Sequence, residues 1–194
     1  MNQALIKQPF SDLYAELEAL PANMTGEIVF GALYAHPRPA KRHARAASEL
    51  TTELGNPFRR GRNGPGGWVF LIEPELHLGD HVVVPDICGW HADRYATVAA
   101  ETTPFATIAP DWLCEVLSPS TRQFDRFKKL LVYATHGVKH CWYIDPVDKT
   151  LEVFVLSGDT YKIGPSFVAN DPVTAPPFEA HTFDLGNLWD EPTT

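Results

Sequence analysis

Three runs decide how this chain reads: VVVPDICGW (residues 82–90), DWLCEVLSPST (111–121) and DRFKKLLVYATHGVKHCWYIDP (125–146). In the first, Val82-Val83-Val84 leads into Pro85-Asp86. A strand there sets Val82, Val84 and Asp86 on one face, because side chains alternate with period two. In the second, Asp111 to Leu117 predicts another strand, with Leu113, Glu115 and Leu117 on one face and Trp112, Cys114 and Val116 on the other. A run that is apolar on both faces belongs inside a sheet, where a carboxylate is costly unless it is paired or binds a cation. Two such acids on neighbouring strands form one anionic pocket suited to a hard divalent ion.

The third run predicts a helix from Thr121 to His136, with Phe124, Phe127, Leu131 and Ala134 as an apolar stripe at helical spacing. Ser120 or Thr121 serves as N-cap and Gly137 as the stop. Asp125 and Lys129, four apart, share a second face that Tyr133 continues. That polar face looks either at solvent or at the acidic pocket. Val138 to Asp145 follows as a strand closed by Pro146.

Outward from this centre, Ser11 or Asp12 caps a short helix that runs to Leu20 and stops at Pro21. Gly26 to Tyr34 reads as a strand or hairpin, and Pro37 and Pro39 as an extended link. Lys41 to Leu54 is a second helix with Ala47, Leu50 and Leu54 inward, and Gly55 to Gly67 is a loop. Trp68 to Ile72 is a strand, and Gly79-Asp80 turns the chain into Val82 to Asp86. Trp90 to Pro110 reads as an irregular loop. Leu151 to Leu156 and Thr160 to Ile163 make a hairpin around Gly158-Asp159, and a last strand is expected near Phe178 to Leu185. The tail beyond Trp189 is expected to fray. This order gives an α/β (α+β) domain spanning residues 1–194, a mixed central sheet flanked by helices with an additional strand meander and a core of about 24–165.

The chain has 194 residues, enough for one sizeable core, and 44% are hydrophobic. No apolar run approaches a membrane span and no signal-peptide pattern opens the sequence, so a cytoplasmic protein is expected. Cys88, Cys114 and Cys141 lack metal-ligand spacing and read as buried thiols. The net charge of −8 argues against broad affinity for nucleic acid. Basic residues are nevertheless concentrated, for seven of the 16 Lys and Arg are Arg38, Lys41, Arg42, Arg45, Arg59, Arg60 and Arg62. They form a phosphate-binding face or a solvated one. Neither His-Glu-Xaa-Xaa-His, Gly-Xaa-Ser-Xaa-Gly nor a P-loop is present, which removes the usual zinc-protease, serine-hydrolase and phosphate-cradle readings.

The ordered set Pro85-Asp86, Glu115 through Thr121, Asp125, Lys129, Tyr133, Gly137-Val138, Trp142 and Asp145-Pro146 resembles the Uma-two group of restriction-endonuclease-like proteins, in the PD-(D/E)XK nuclease superfamily. Gly26-Glu27, His43 and Glu73 to His77 fit the same group. The resemblance implies a Mg²⁺- or Mn²⁺-dependent endonuclease acting on DNA, working as a homodimer. It implies Asp86 and Glu115 as catalytic metal ligands. The superfamily's Glu-Xaa-Lys would put lysine at position 117, where this chain has Leu117. Lys129 on the next helix is the replacement candidate, with the role of stabilising charge on the phosphate. Glu27 and His43 are possible additional site residues, and Arg42 and Arg45 possible phosphate contacts. Glu73, Glu75 and His77 share a face, which fits a solvated edge better than a metal site. The rival reading is a nuclease-like fold without cleavage, serving as a nucleic-acid-binding or regulatory module.

Overall fold

Trp112 to Val116 forms the strand expected around Glu115, and every residue of it is buried. The computed structural model describes residues 8–38 and 40–189, so Pro39 of the extended link and the tail beyond Trp189 lie outside the described residues. The first half of the chain runs α1 (Phe10–Glu18), β1 (Met24–Val29), β2 (Ala32–Pro37), α2 (Lys41–Leu54), β3 (Trp68–Ile72), β4 (Leu76–Leu78), β5 (His81–Val83), β6 (Ile87–His91) and α3 (Ala92–Ala99). The second half runs β7 (Trp112–Val116), α4 (Arg122–Phe124), α5 (Leu130–Thr135), β8 (His140–Asp145), β9 (Thr150–Ser157), β10 (Thr160–Val168), β11 (Pro172–Val173) and β12 (Phe183–Asp184).

Among the described residues the strands form a mixed sheet of order β10-β9-β8-β7-β6-β3, a second sheet of order β2-β1-β5-β4, and a short β11-β12 pair. β7 and β8 are parallel, which requires the intervening helix as a crossover, and the other pairs of the larger sheet are antiparallel. The two faces of β7 feed two cores. Trp112, Cys114 and Val116 pack with Leu50, Leu54 and Trp142, while Leu113 and Leu117 pack with Cys88, Tyr133 and Cys141. Gly89 sits opposite Trp112, and a Cβ there would meet Phe70 and Trp112 at 3.0–3.1 Å, so only glycine fits without displacing them.

Several expectations are corrected. The strand predicted for Val82 to Asp86 ends at Val83, and it belongs to the smaller sheet. Pro85 has no N–H for a ladder, so the chain changes sheets there and Asp86 stands one residue before β6. The expected loop from Trp90 to Pro110 begins instead with the end of β6 and with α3, a short helix that buries only Val98. So narrow a contact leaves almost no periodic signal. The loop expected from Gly55 starts as a π-helical turn, Gly55–Arg59, continuing α2 and burying Phe58. No side chain caps α1, which begins after Pro9. The last strand shrinks to β12, and the buried core reaches past residue 165 through Val173, Phe178, Leu185 and Leu188.

The helix after β7 differs most. A π-helical turn at Asp125–Lys129 separates α4 from α5. Its extra residue per turn rotates the helix surface, so Phe127 and Leu131 of the expected apolar stripe are 75% and 54% exposed. The polar face bearing Asp125, Lys129 and Tyr133 is turned inward and buried. Gly137 ends the helix with φ 74°, the left-handed geometry that favours glycine at a helix stop.

Candidate functional site

The antiparallel register of β6 and β7 pairs Ile87 with Cys114, so one step further Asp86 faces Glu115. Two backbone bonds hold Asp86 in that place. Its carbonyl accepts from the Glu73 N–H at 3.0 Å, and its Oδ2 accepts from the Val116 N–H at 2.7 Å. β1 pairs with β5 through Ile28 and Val82, which brings Glu27 alongside, where its Oε1 accepts the Val84 N–H at 2.8 Å. From the helix side, Lys129 places Nζ 2.8 Å from Glu27 Oε1, 2.8 Å from Glu115 Oε1 and 3.5 Å from Asp125 Oδ1. The Tyr133 hydroxyl donates to Glu115 Oε1. His43, from the first turn of α2, has its Nε2 3.2 Å from Asp86 Oδ1.

All these side chains except Asp86 are buried, and Asp86 is half-buried at the mouth. All of them but Tyr133 line a pocket of about 80 Å³. With Glu73 and His36, which also line it, five carboxylates thus share one small space with one lysine and two histidines. Burial pushes the Glu115 carboxyl well above the ordinary range; Lys129 pulls it back, and Asp125, Asp86 and Glu27 add to the rise. Asp125 is raised by burial too, again opposed by Lys129. Burial disfavours the Lys129 ammonium, yet Glu115, Glu27 and Asp125 outweigh it and hold the lysine charged, well above its usual value. Burial likewise opposes protonation of His43, and the hydrogen bond and charge of Asp86 overcome it, raising the imidazole.

Asp86, Glu115, Lys129, Glu27 and His43 therefore come together. Arg42 and Arg45 do not join them, for they line a separate cleft with Lys149 and Trp189. Glu75 and His77 also stand apart, bonded to each other at 2.6 Å, with the Tyr14 hydroxyl on Glu75 at 2.9 Å. Glu73 leaves the face it was expected to share with them and lines the acidic pocket. Its φ of 47° breaks the alternation that placed it there, and no sequence signal marks that break. The inward turn of Asp125 and Tyr133 had one available sign, their common face with Lys129.

Among the described residues, no group of three or more His, Cys, Asp or Glu is arranged as a ready metal cage. The donor set still suits a hard cation, because Mg²⁺ commonly takes one or two carboxylates and completes its shell with water and substrate phosphate. Asp86 and Glu115 supply such a pair, and the pocket has room for an ion and a few waters but not for a nucleotide. No helix of the described residues is long and apolar enough to cross a membrane.

A stability prediction follows for the acid at the mouth. Asp86→Asn keeps an oxygen for the Val116 N–H and removes one of the crowded charges. Unfolding of the metal-free variant in urea should stay within about 1 kcal/mol of the parent, or shift in its favour. A loss above about 2 kcal/mol would mark the His43–Asp86 contact as a structural ion pair instead.

A family model described as "Uma2: Putative restriction endonuclease" matches residues 12–185. Among solved structures, one from Anabaena variabilis, described as "a putative nuclease belonging to DUF820", superposes with a TM-score of 0.70 at 23% identity. It covers 91% of this chain and 96% of that one, a likeness of fold. No curated protein matches the sequence. The ordered residues first read around Asp86 and Glu115 thus lie within a match that takes in nearly the whole described chain, and the protein belongs to the Uma2 family of the restriction-endonuclease-like superfamily.

Proposed function

We propose that the protein is an endonuclease that hydrolyses phosphodiester bonds of DNA with Mg²⁺ or Mn²⁺. The observation that carries this reading is the convergence of Asp86 and Glu115 on one pocket that also receives a buried, charged lysine from the next helix. Asp86 and Glu115 would hold the cation, which when bound lowers the pKa of a water and neutralises charge on the scissile phosphate. Lys129 replaces the lysine absent at Leu117: its ammonium arrives from the helix and stands 2.8 Å from Glu115. It offers positive charge where the phosphate gathers negative charge. Tyr133 and His43 orient the two acids, donating to Glu115 and contacting Asp86 respectively. Glu27 fixes Lys129 from the opposite side. Cutting both strands of a duplex calls for two such sites, hence a homodimer.

One observation favours a second reading, a nuclease-like fold that binds or regulates without cleavage. Lys129 bridges Glu27 and Glu115, so the carboxylates already hold a cation of the chain's own. Supercoiled plasmid titrated with Mg²⁺ and Mn²⁺ separates the two. Under the first reading, Asp86→Ala and Glu115→Ala each lower nicking by about 10²-fold or more, while metal-free DNA binding survives or improves. Wild-type protein that binds DNA but never nicks it establishes the second reading. Equal nicking by wild type and Asp86→Ala points to a contaminating nuclease and removes the support for the first.

A further inference from the structure

β1 and β2 pair with Thr25 opposite His36 and Glu27 opposite Tyr34. Alternation puts these four side chains on one face, the face that carries Glu27 into the acidic pocket. His36 therefore stands beside Thr25, which also lines the pocket, and diagonally across from Glu27, roughly 7 Å away. The ring of Phe124 backs the imidazole with centroids 5.2 Å apart and packs on Tyr34 at 4.5 Å. His36 is only half-buried, so it belongs to the rim of the pocket. Its Nε2 is nevertheless closed off from solvent and has no hydrogen-bond partner among the described residues. A ring nitrogen left in that state costs stability and calls for a partner that folding alone does not supply.

The neighbouring donors are already engaged. The Lys129 ammonium has three protons and meets three acids, Glu27, Glu115 and Asp125. His43 turns its Nε2 to Asp86 at 3.2 Å. The hydroxyls of Ser118 and Thr121, also in the lining, lie 2.9 Å apart and bond each other. A phosphate arriving at Asp86 and Glu115 thus meets the charge of Lys129 but none of these protons uncommitted. His36 differs. The negative field of five carboxylates favours the tautomer that keeps its proton on Nε2, which makes that nitrogen a donor without an acceptor.

We propose that His36 is a further substrate-contacting residue of the acidic pocket, its Nε2–H donating to a non-bridging oxygen of the scissile phosphate. The proposal rests on the endonuclease reading for the identity of that phosphate as a DNA phosphodiester. A turn about the side-chain bonds of this rim residue carries Nε2 from its closed position to the mouth, where the phosphate oxygen supplies the missing partner. No proton is transferred, so the role is that of a neutral hydrogen bond and not of an acid.

Two substitutions separate the donor from the ring. His36→Gln keeps an N–H near the place of Nε2, whereas His36→Leu keeps bulk against Phe124 and has no donor. Binding of a short, labelled duplex DNA is followed by fluorescence anisotropy with Ca²⁺, and nicking of supercoiled plasmid with Mn²⁺. His36→Leu should weaken binding about tenfold or more and slow nicking at least as much, the scale of a hydrogen bond to a charged group. His36→Gln should stay within about threefold of wild type in both. The leucine variant should also melt at or above the wild-type temperature, because an unpaired buried nitrogen is replaced by an apolar group on Phe124. Melting several degrees lower would mark the histidine as structural and overturn the proposal. A leucine variant that binds and nicks as wild type does also overturns it. So does a glutamine variant as impaired as the leucine one, which would make His36 a proton-transfer group. Wild type whose binding depends on His36 but which never nicks leaves the contact standing while the endonuclease reading fails. Wild type that neither binds nor nicks overturns both.

Discussion

Lys129→Met should destabilise the metal-free protein by about 3–5 kcal/mol near pH 7, the range for removing one partner from a buried charge cluster. Methionine fills nearly the same space, so the loss is electrostatic. Glu27, Glu115 and Asp125 then face one another without the ammonium that now sits 2.8–3.5 Å from each. The dependence on pH has a defined direction. Glu115 and Asp125 bind a proton more tightly in the folded than in the unfolded chain. Such groups favour folding at low pH and lose that contribution as pH rises from the unfolded carboxylate range, about 4, toward their raised folded values. Lys129 works oppositely to a bare acid cluster: raised in the folded state, it contributes throughout the range below the unfolded lysine value of about 10. Removing it pushes the acids higher still. The gap between wild type and variant should be widest near neutrality and should narrow by more than half at about pH 4.5. Chemical unfolding at both pH values measures it. A gap that does not change with pH would show that Lys129 matters for packing rather than charge.

Phe178→Ala should cost about 3–5 kcal/mol, as large aromatic truncations in a packed core do. Phe178 lies 2% exposed, with ring centroids at 4.6 Å from Phe58, 5.0 Å from Trp68, 5.1 Å from Trp112, 5.6 Å from Trp142 and 5.8 Å from Phe70. Just before it, the Pro176 carbonyl accepts the Trp142 indole N–H at 2.8 Å. The variant opens a void that five aromatic rings on four elements cannot close together. Urea unfolding followed by tryptophan fluorescence reads the change. A cost under about 1 kcal/mol would mean that the segment after β10 lies against the core without completing it.

How much was legible in the sequence depends on where each signal came from. β7 was readable because both of its faces are apolar around a single acid, a pattern with few alternatives. α2 was readable because its bounds, Lys41 and Leu54, are framed by Pro39 and Gly55. The neighbourhood of Asp86 and Glu115 was reached correctly although the strand carrying Asp86 was drawn on the wrong side of it. Pro85 marks a change of sheet, and only long-range pairing with Cys114 shows which sheet follows. The helix failed for a different reason. Phe124, Phe127, Leu131 and Ala134 form a good stripe at 3.6 residues per turn, but the chain buries Asp125, Lys129 and Tyr133 instead. Charge neutralisation between the lysine and the acids of two strands outweighs the burial of two apolar side chains, and no local window contains those acids. Arg42 and Arg45 were legible as a basic cluster, and their separation from His43 is helical geometry. What they face, Lys149 and Trp189, lies more than a hundred residues away in sequence.

The widened turn at Asp125–Lys129 makes the chain unequally tolerant of insertions and deletions. Removing its extra residue would restore an ordinary α-helical turn and leave the following segment facing as it does, whereas removing one residue of α5 ahead of Tyr133 would swing that side chain by about 100°. In the first case Tyr133 would keep its bond to Glu115, and in the second it would lose it. An insertion at the Gly158-Asp159 turn, between the paired strands β9 and β10, lengthens only a surface connection. Related chains should therefore lengthen freely there and hold a constant residue count from Lys129 to Tyr133, with one residue fewer between Glu115 and Lys129 where the turn is an ordinary α-helical one. A spacing of fourteen from Glu115 to Lys129, or one fewer without the widened turn, is the ruler by which a lysine that has migrated off the strand can be recognised in a distant relative.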